Sequence, residues 1–145
     1  MKELKITSPA FEHNQTIPVK YTNQGVNPPL SISGIPENTK SLTLIVDDPD
    51  APNGTFDHWI VYNITPQQKQ IAEQSVPGTT GLNSDQGHDY IGPCPPPGKP
   101  HRYFFKVYAL DTMLNVDPKS TKEDIENAMK SHILAKGQLI GLYQR

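Results

Sequence analysis

The sequence predicts a mainly β domain with one substantial helix late in the chain, laid on one edge or face of the strands. Three observations favour this class. Short segments rich in branched apolar and aromatic residues recur between turn-forming residues. Apolar residues keep a helical spacing over a substantial length only near the C-terminal end. The 15 prolines in 145 residues, about twice the usual share, cluster in PDAP and GPCPPPGKP, which indicates rigid loops on a β scaffold.

Length and charge limit the classes of protein to consider. The 145 residues suffice for one domain, residues 1–145, with a core that needs no metal or disulfide. Lysine and arginine total 13 against 15 aspartate and glutamate, so the net charge of -2 supplies no broad basic field for nucleic acid or an anionic membrane. Any bound anion must therefore be held by a local arrangement of donors.

The cysteine count and the hydropathy predict the location of the protein. Cys94 is the single cysteine, which excludes an internal disulfide and fits a reducing compartment. The N-terminus lacks the apolar stretch of a secretion signal, and no segment approaches the roughly 18 apolar residues of a membrane span. We therefore expect a cytoplasmic protein without stable membrane insertion.

The first half of the chain is predicted to supply five strands, at 4–6, 17–21, 30–33, 41–46 and 58–64. The first two are expected to pair with each other. Segment 41–46 is rich in branched apolar residues and runs directly into the acidic loop DDPDAP. Segment 58–64 is aromatic and β-branched and is long enough for a central strand.

The second half begins with a predicted short helix. Thr65 before Pro66 is typical of an N-cap followed by an N1 proline and predicts at most two turns through Gln74. Residues 75–100 follow as a long irregular segment, which within a compact domain indicates a functional loop. Residues 101–111 then predict a long strand with alternating faces.

The late helix is marked by a capping box at 120–123. Gly137 is the expected stop, and 138–143 closes the chain as a last strand. We interpret His132 as a hydrogen-bonded core residue on the inner face of this helix. The apolar positions and this histidine keep helical spacing at Ile125, Ala128, Met129, His132 and Ile133.

The acidic loop and two histidines predict a binding site. Asp47, Asp48 and Asp50 would repel one another and persist only if solvated, hydrogen-bonded or paired with cations. A DDPD sequence alone is typical of a solvated turn. This one leaves a buried strand, however, and His58 and His101 each begin an apolar strand, where an imidazole can sit partly desolvated at the rim of a pocket. We therefore predict that residues 47–103 form one anion-binding pocket, to which Tyr103 also contributes.

The proline-rich loop has few backbone N–H donors, so it cannot cradle phosphate as a glycine-rich loop does. We expect a stiff apolar wall with Gly92 and Gly98 at its bends; a rigid connector or a polyproline motif is the alternative.

Cys94 as a nucleophile is less favoured, because its proline neighbours remove N–H groups that could form an oxyanion hole. A metal site of His58, His101 and an aspartate lacks any familiar ligand spacing, so no metal or cofactor is expected.

Three ordered motifs resemble a known family: DPDAP at 48–52 with DHW at 57–59, GHDYIGP at 87–93 and GKPHRY at 98–103. The chain resembles, over nearly its whole length, the phosphatidylethanolamine-binding protein family, and in particular its bacterial and archaeal branch, often called YbhB/YbcL-like. The resemblance implies two packed antiparallel sheets, a β-sandwich, with few helices and a small pocket for phosphate-like anions such as the phosphatidylethanolamine head group.

The resemblance also assigns roles to site residues. His58 and His101 would contact the anion, Tyr103 would add a hydroxyl donor, and Asp48 would orient a histidine or meet an ammonium group. Because animal members have a C-terminal helix over the pocket and this chain ends at Arg145, we expect a more open site that is less suited to an intact phospholipid. The full implied set of binding residues is Asp48, Asp50, His58, Tyr90, Gly92, His101 and Tyr103.

The leading functional hypothesis is a non-enzymatic module that binds a phosphate- or carboxylate-bearing group and modulates a protein partner such as a kinase or protease. One alternative is a hydrolase that uses a His and Asp pair with water or Cys94. Another is a homodimer formed through the proline loop and the pocket rim. Nucleic acid is not expected as a partner.

Overall fold

The computed structural model describes residues 2–23 and 25–145. This part of the chain contains ten strands, one α-helix and a short 3-10 helix at Val19–Tyr21. No helix within it is long and apolar enough to cross a membrane. The α-helix, α1, is Lys122–Met129, and the strands are β1 Lys2–Glu3, β2 Lys5–Thr7, β3 Gln15–Thr16, β4 Leu30–Ser33, β5 Ser41–Asp48, β6 Phe56–Ile64, β7 Gln70–Ile71, β8 Thr79–Thr80, β9 His101–Leu110 and β10 Ile133–Tyr143.

Two sheets form the domain. The larger runs in the order β1-β10-β9-β5-β6-β8, with β3 also paired to β10, and the smaller runs β2-β4-β7. All pairs are antiparallel except those of β1 and β3, which are parallel to β10. The predicted mainly β class with two packed sheets is confirmed.

The main core lies between the two sheets. Alternate residues of β9, including Phe105 and Val107, point into it and meet apolar side chains of the smaller sheet such as Ile6 and Ile32. A second cluster lies on the opposite face of the larger sheet, where Ile125 and Met129 of α1 pack against Ile45, Ile60, Tyr62 and Leu110. The larger sheet is therefore covered on one face by strands and on part of the other by the helix.

The helix is shorter than predicted, and its cap lies one residue later. Thr121 rather than Ser120 is the N-cap: its hydroxyl accepts from the Asp124 N–H, and the Asp124 carboxylate accepts from the Thr121 N–H. The helix ends at Met129, and Ser131, with a φ of 68°, turns the chain directly into β10. The prediction of Gly137 as the stop was wrong, because this glycine lies inside β10. His132 lies outside the helix, half-exposed, and bonds to Asp111 instead of the core.

Two other predicted elements were wrong. Segment 17–21 does not pair with β2; it contains the 3-10 helix, and β2 pairs with β4 instead. Segment 65–74 forms a turn followed by β7, not a helix. The reason is tertiary: Gln70–Ile71 pairs with β4, and the Ile32 N–H donates to the carbonyl of Lys69, so strand pairing outweighs the local Thr-Pro signal.

Gly137 is required where β1 leaves the larger sheet. A Cβ at this position would lie 2.1 Å from the carbonyl oxygen of Leu4. Because Leu4 is buried and its N–H bonds to the carbonyl of Lys136, that oxygen cannot move aside freely. A side chain at position 137 would therefore push Leu4, which links β1 of the larger sheet to β2 of the smaller sheet, away from β10.

We predict that Gly137→Ala lowers the free energy of unfolding by about 3 kcal/mol, the upper end of the usual cost of overpacking. Urea denaturation measures it. Gly87→Ala is the matched control, because its Cβ would meet its nearest neighbour, the Asn83 side chain, at 3.6 Å. Equal denaturation midpoints for the two variants would contradict the prediction.

Candidate functional site

A cleft of about 290 Å³ opens where β5 ends and where β6 and β9 begin. Antiparallel pairing of β5 with both neighbours brings these three strand termini together. The long segment 75–100 returns to the same end and closes the side of the cleft. We call it the histidine cleft, and its lining consists of Asp48, Ala51, Pro52, Phe56, His58, Asp85, Ile91, Gly92, Cys94, Pro95, Pro96, His101 and Tyr103.

His101 and Asp48 form a buried pair in this cleft. The Nδ1 atom of His101 lies 2.7 Å from Oδ2 of Asp48, and the two side chains are 11% and 4% exposed. A carboxylate oxygen accepts, so Nδ1 carries the proton of this hydrogen bond. The other carboxylate oxygen accepts from the backbone N–H of Asp50 at 2.8 Å. Asp48 therefore fixes the ring of His101 with Nε2 as its remaining free nitrogen.

His58 is held in the same manner by a backbone carbonyl. Its Nδ1 lies 2.6 Å from the carbonyl oxygen of Ile91, which can only accept, so Nδ1–H is the donor. The ring packs edge-on between Phe56 and Tyr103. Burial lowers the pKa of His58 below its ordinary value of 6.5, and the carbonyl bond and the charge of Asp48 oppose that shift only in part. At neutral pH the imidazole is uncharged and its free Nε2 is an acceptor.

Tyr103 supplies a hydroxyl beside the two imidazoles. Its ring is stacked against His101 and edge-on to His58. Burial, followed by the negative charge of Asp48, raises the pKa of Tyr103 well above its usual value of 10.0. The hydroxyl therefore stays protonated at all physiological pH values and can donate a hydrogen bond.

Two of the seven predicted binding residues do not line the cleft. Asp50 forms a bidentate pair with Arg102, with Nε–Oδ2 and Nη2–Oδ1 distances of 2.9 Å. The guanidinium hydrogen bonds lower the pKa of this carboxyl, and the pair ties the acidic loop to β9. Tyr90 is buried behind the cleft, where its hydroxyl donates to the carbonyl of Tyr21 and its ring packs on Trp59.

Gly92 lines the cleft for a steric reason. A Cβ at this position would lie 1.7 Å from the carbonyl oxygen of Thr22, a distance no side chain can adopt. The close approach lets the backbone of segment 75–100 lie against the residues after the 3-10 helix. Gly92 therefore shapes the wall of the cleft, together with Pro95 and Pro96, which form the expected apolar surface.

Each carboxylate of the acidic loop has a cationic or imidazole partner. Of the three ways in which these aspartates were expected to persist, pairing is the one that the structure uses. Asp47 points to the opposite face of the sheet, where Lys106 of β9 and Lys122 of α1 lie 3.0 and 3.4 Å from its Oδ2. Lys122 also lies 2.8 Å from Asp57. Asp48 pairs with His101 and Asp50 pairs with Arg102. The three carboxylates therefore point in different directions, each towards a different partner.

Sequence reasoning missed Asp85 and the contact made by Cys94. Asp85 places a second carboxylate in the lining, and no periodicity distinguishes it from other polar residues of segment 75–100. The hydrogen-bond partner of the Cys94 sulfur is Nη1 of Arg145 at 3.5 Å, and neither histidine bonds to it. Among residues 2–23 and 25–145, no group of three His, Cys, Asp or Glu side chains could hold a metal ion.

Fold and site together define a two-sheet β protein with a small cleft at one end of its strands, in which a carboxylate orients one imidazole and a backbone carbonyl orients the other. The profile of the phosphatidylethanolamine-binding protein family matches residues 7–144. The chain belongs to this family, and the resemblance based on three motifs is confirmed.

Relatives from archaea and bacteria agree with this assignment. A UPF0098 protein of Pyrococcus abyssi is 48% identical, with 99% of this chain and 87% of the relative covered. The crystal structure of a homolog of phosphatidylethanolamine-binding protein from Chlamydia trachomatis has a TM-score of 0.94 at 42% identity, covering 100% and 99% of the two chains. Escherichia coli YbcL, described as a member of the mammalian family, has a TM-score of 0.89 at 28% identity, covering 99% of each chain.

We predict that His58 makes the stability of the fold depend on pH. Because the folded-state pKa is lowered, the unfolded state binds the proton more readily. The contribution of neutral His58 is full above about pH 6.5 and is lost as the pH falls from there towards the folded-state pKa. Urea unfolding of the wild type and His58→Gln between pH 5 and 8 should therefore give a stability difference that shrinks towards low pH.

The matched control is His132→Gln, since this histidine is half-exposed and far along the chain from the cleft. Its difference from the wild type should not follow the curve obtained for His58→Gln. A stability difference for His58→Gln that is constant across the whole pH range would contradict the assignment of a buried neutral imidazole.

Proposed function

We propose that the histidine cleft binds a small phosphate- or carboxylate-bearing group and that the protein is a recognition module rather than an enzyme. One observation carries the proposal: His58 and His101 both commit Nδ1 to a protein acceptor, the carbonyl of Ile91 and the carboxylate of Asp48. Each ring is thereby oriented with Nε2 as its unused nitrogen, next to the protonated hydroxyl of Tyr103. Three directional groups on one small cavity are suited to an oxygen-rich ligand.

The charge of the cleft restricts the ligand further. Asp48 and Asp85 both line it, so a bare dianion meets repulsion that the uncharged imidazole of His58 does not offset. An unprotonated Nε2 accepts a hydrogen bond, so the ligand must carry a proton there or convert the ring to imidazolium. A ligand with a cationic group beside its phosphate would meet a carboxylate with the cation and an imidazole with the phosphate.

The size of the cleft favours a head group over a whole lipid or nucleotide. Its volume of about 290 Å³ lies at the lower limit of small-molecule sites. The stiff walls of Pro52, Pro95 and Pro96 leave little capacity to widen. Membership of a family named for phosphatidylethanolamine binding agrees with a ligand of this class.

Recognition is favoured over turnover by the surroundings of Cys94. Its sulfur bonds to Arg145 rather than to an imidazole that could act as its base. Prolines at 93, 95, 96 and 97 remove backbone N–H groups that would stabilise an oxyanion. The kinase or protease partner, the homodimer and the cytoplasmic location stay predictions.

We predict that O-phosphorylethanolamine shifts the imidazole signals of His58 and His101 in a nitrogen-15 NMR titration at millimolar concentration. His101→Gln should weaken binding at least about tenfold, because it removes one charge-assisted contact. His132→Gln should bind like the wild type. Absence of any response at about 10 mM ligand would contradict the anion cleft, and release of inorganic phosphate during the titration would favour the hydrolase alternative.

We predict that binding tightens as the pH falls from 8 to 6, because a proton is needed between each Nε2 and the ligand oxygen. Ethanolamine O-sulfate separates the two sources of that proton, since a sulfate monoester carries none in this range. At pH 8 the phosphate monoester, whose second pKa is about 6, has lost its proton as well, so the sulfate monoanion should bind at least as tightly as the phosphate dianion there. Towards pH 6 the phosphate should gain affinity through its own proton and through imidazolium formation, whereas the sulfate should gain affinity only through imidazolium formation. Affinity that is independent of pH for both ligands would contradict the proton-coupled arrangement.

A further inference from the structure

A second and larger concavity lies along the edge of β10 and the adjoining outer faces of β10 and β9. Its volume is about 1090 Å³, and its lining includes Lys2, Lys5, His13, Lys106, Lys136 and Gln138. We call it the lysine cleft. We propose that it binds an extended acidic segment of a polypeptide, independently of the ligand of the histidine cleft.

The lining of the lysine cleft is positively charged. Four lysines and one carboxylate, Glu3, line the cleft, which gives a formal charge of +3. The whole chain carries -2, so the residues outside the cleft sum to -5. Lys106 is partly neutralised by Asp47, whereas Lys2, Lys5 and Lys136 are exposed. A concave positive region on a negative protein attracts acidic groups locally.

The outer edge of β10 is only partly covered by other strands. β1 pairs with β10 only as far as Lys136, and β3 pairs from Gly141 onward. Between them, Ile140 bonds outward to residues 13 and 14, through its N–H to His13 and its carbonyl to Asn14. Strand alternation directs the N–H and C=O of Gln138 to the same edge, yet the pairing of neither β1 nor β3 reaches it. Within residues 2–23 and 25–145, the edge is therefore unpaired at Gln138, between the bond of Leu4 to Lys136 and the bonds of Ile140 to residues 13 and 14.

An open N–H and C=O pair is complementary to the main chain of an extended peptide. His13 adds a further donor: its Nδ1 accepts from the Ile140 N–H, so its ring proton is on Nε2. Half-buried Tyr108 supplies an apolar floor beside the lysines. The main chain of an extended peptide would pair with the N–H and C=O of Gln138, and its acidic side chains would meet the lysines and His13.

Other polyanions fit less well. Nucleic acid has no main-chain amide to pair with Gln138, and its long charged backbone would extend beyond the cleft onto a protein whose remaining residues sum to -5. An anionic membrane surface is flat, whereas the lysines line a concavity. The observations therefore favour an acidic polypeptide.

The test uses a fluorescein-labelled ten-residue peptide of alternating glutamate and valine, followed by fluorescence anisotropy at low ionic strength. We expect saturable binding in the micromolar range that weakens with salt. The double variant Lys5→Glu, Lys136→Glu should lose at least about tenfold in affinity. The control variant Lys69→Glu, Lys119→Glu changes the net charge equally at exposed positions outside the cleft and should lose less than about twofold.

Two further arms complete the experiment. The same peptide N-methylated at alternate amides should bind several-fold more weakly if the main chain pairs with Gln138. His101→Gln should leave peptide binding unchanged, which separates this proposal from that of the histidine cleft. The proposal is overturned if both double variants lose affinity equally, if no binding occurs at about 100 μM protein, or if a single-stranded oligonucleotide or phosphatidylserine vesicles bind at this cleft in preference to the peptide.

Discussion

Antiparallel pairing of β5 with β9 is the constraint on which the rest of the structure depends. The two strands match from Ser41 and Leu110 to Asp47 and Phe104, so the end of β5 and the start of β9 coincide. Asp48 and His101, 53 positions apart in sequence, then lie 2.7 Å apart. Everything between them, β6 and the irregular segment included, must leave and return at this one end of the sheet. The cleft is the space that this return leaves open.

The same pairing resolves the repulsion within the acidic loop. Successive residues of a strand point to opposite faces, so Asp47 meets the lysines of β9 and α1 while Asp48 meets His101. Asp50 turns outward to Arg102. Breaking a buried pair such as His101–Asp48 by removing one partner typically costs about 3–5 kcal/mol, whereas an exposed pair such as Asp50–Arg102 contributes much less. The three pairs therefore hold the acidic loop against both faces of the sheet. Because Asp48 is held in this way, it fixes the orientation of the His101 ring.

Long strands and the chemistry of strand ends were predictable from sequence, whereas short strands and side-chain directions in loops were not. Segments 30–33, 41–46, 58–64 and 101–111 carry branched or alternating residues, and all four are strands. Strands of two residues, such as β7, carry no periodic signal and exist only because a partner strand pairs with them. The late helix was predicted, but either of the adjacent residues Ser120 and Thr121 could have been its N-cap, and the structure uses Thr121 through its reciprocal bonds with Asp124.

In the site, too, residues on strands were predictable from the sequence, whereas the directions of side chains in loops were not. His58, His101, Asp48 and Tyr103 lie at strand ends or on a strand face, where sequence position determines direction, and all four line the cleft. Asp50 lies beyond the end of β5, in a loop whose conformation the Arg102 pair determines, so its direction could not be read from the sequence. Asp85 enters the lining from an irregular segment for which no pattern predicts proximity.

β9 connects the two clefts and also keeps them apart. Its residues His101 and Tyr103 face the histidine cleft, whereas Lys106 and Tyr108 on the opposite face line the lysine cleft. β9 pairs with β5 on one side and β10 on the other over most of its length, so a change of register would break two ladders at once. Allosteric coupling requires an element with two arrangements of similar energy, and a central strand fixed on both sides is not such an element. Occupancy of one cleft should therefore change neither the affinity nor the geometry of the other, so this protein would bind a small anion and a polypeptide additively.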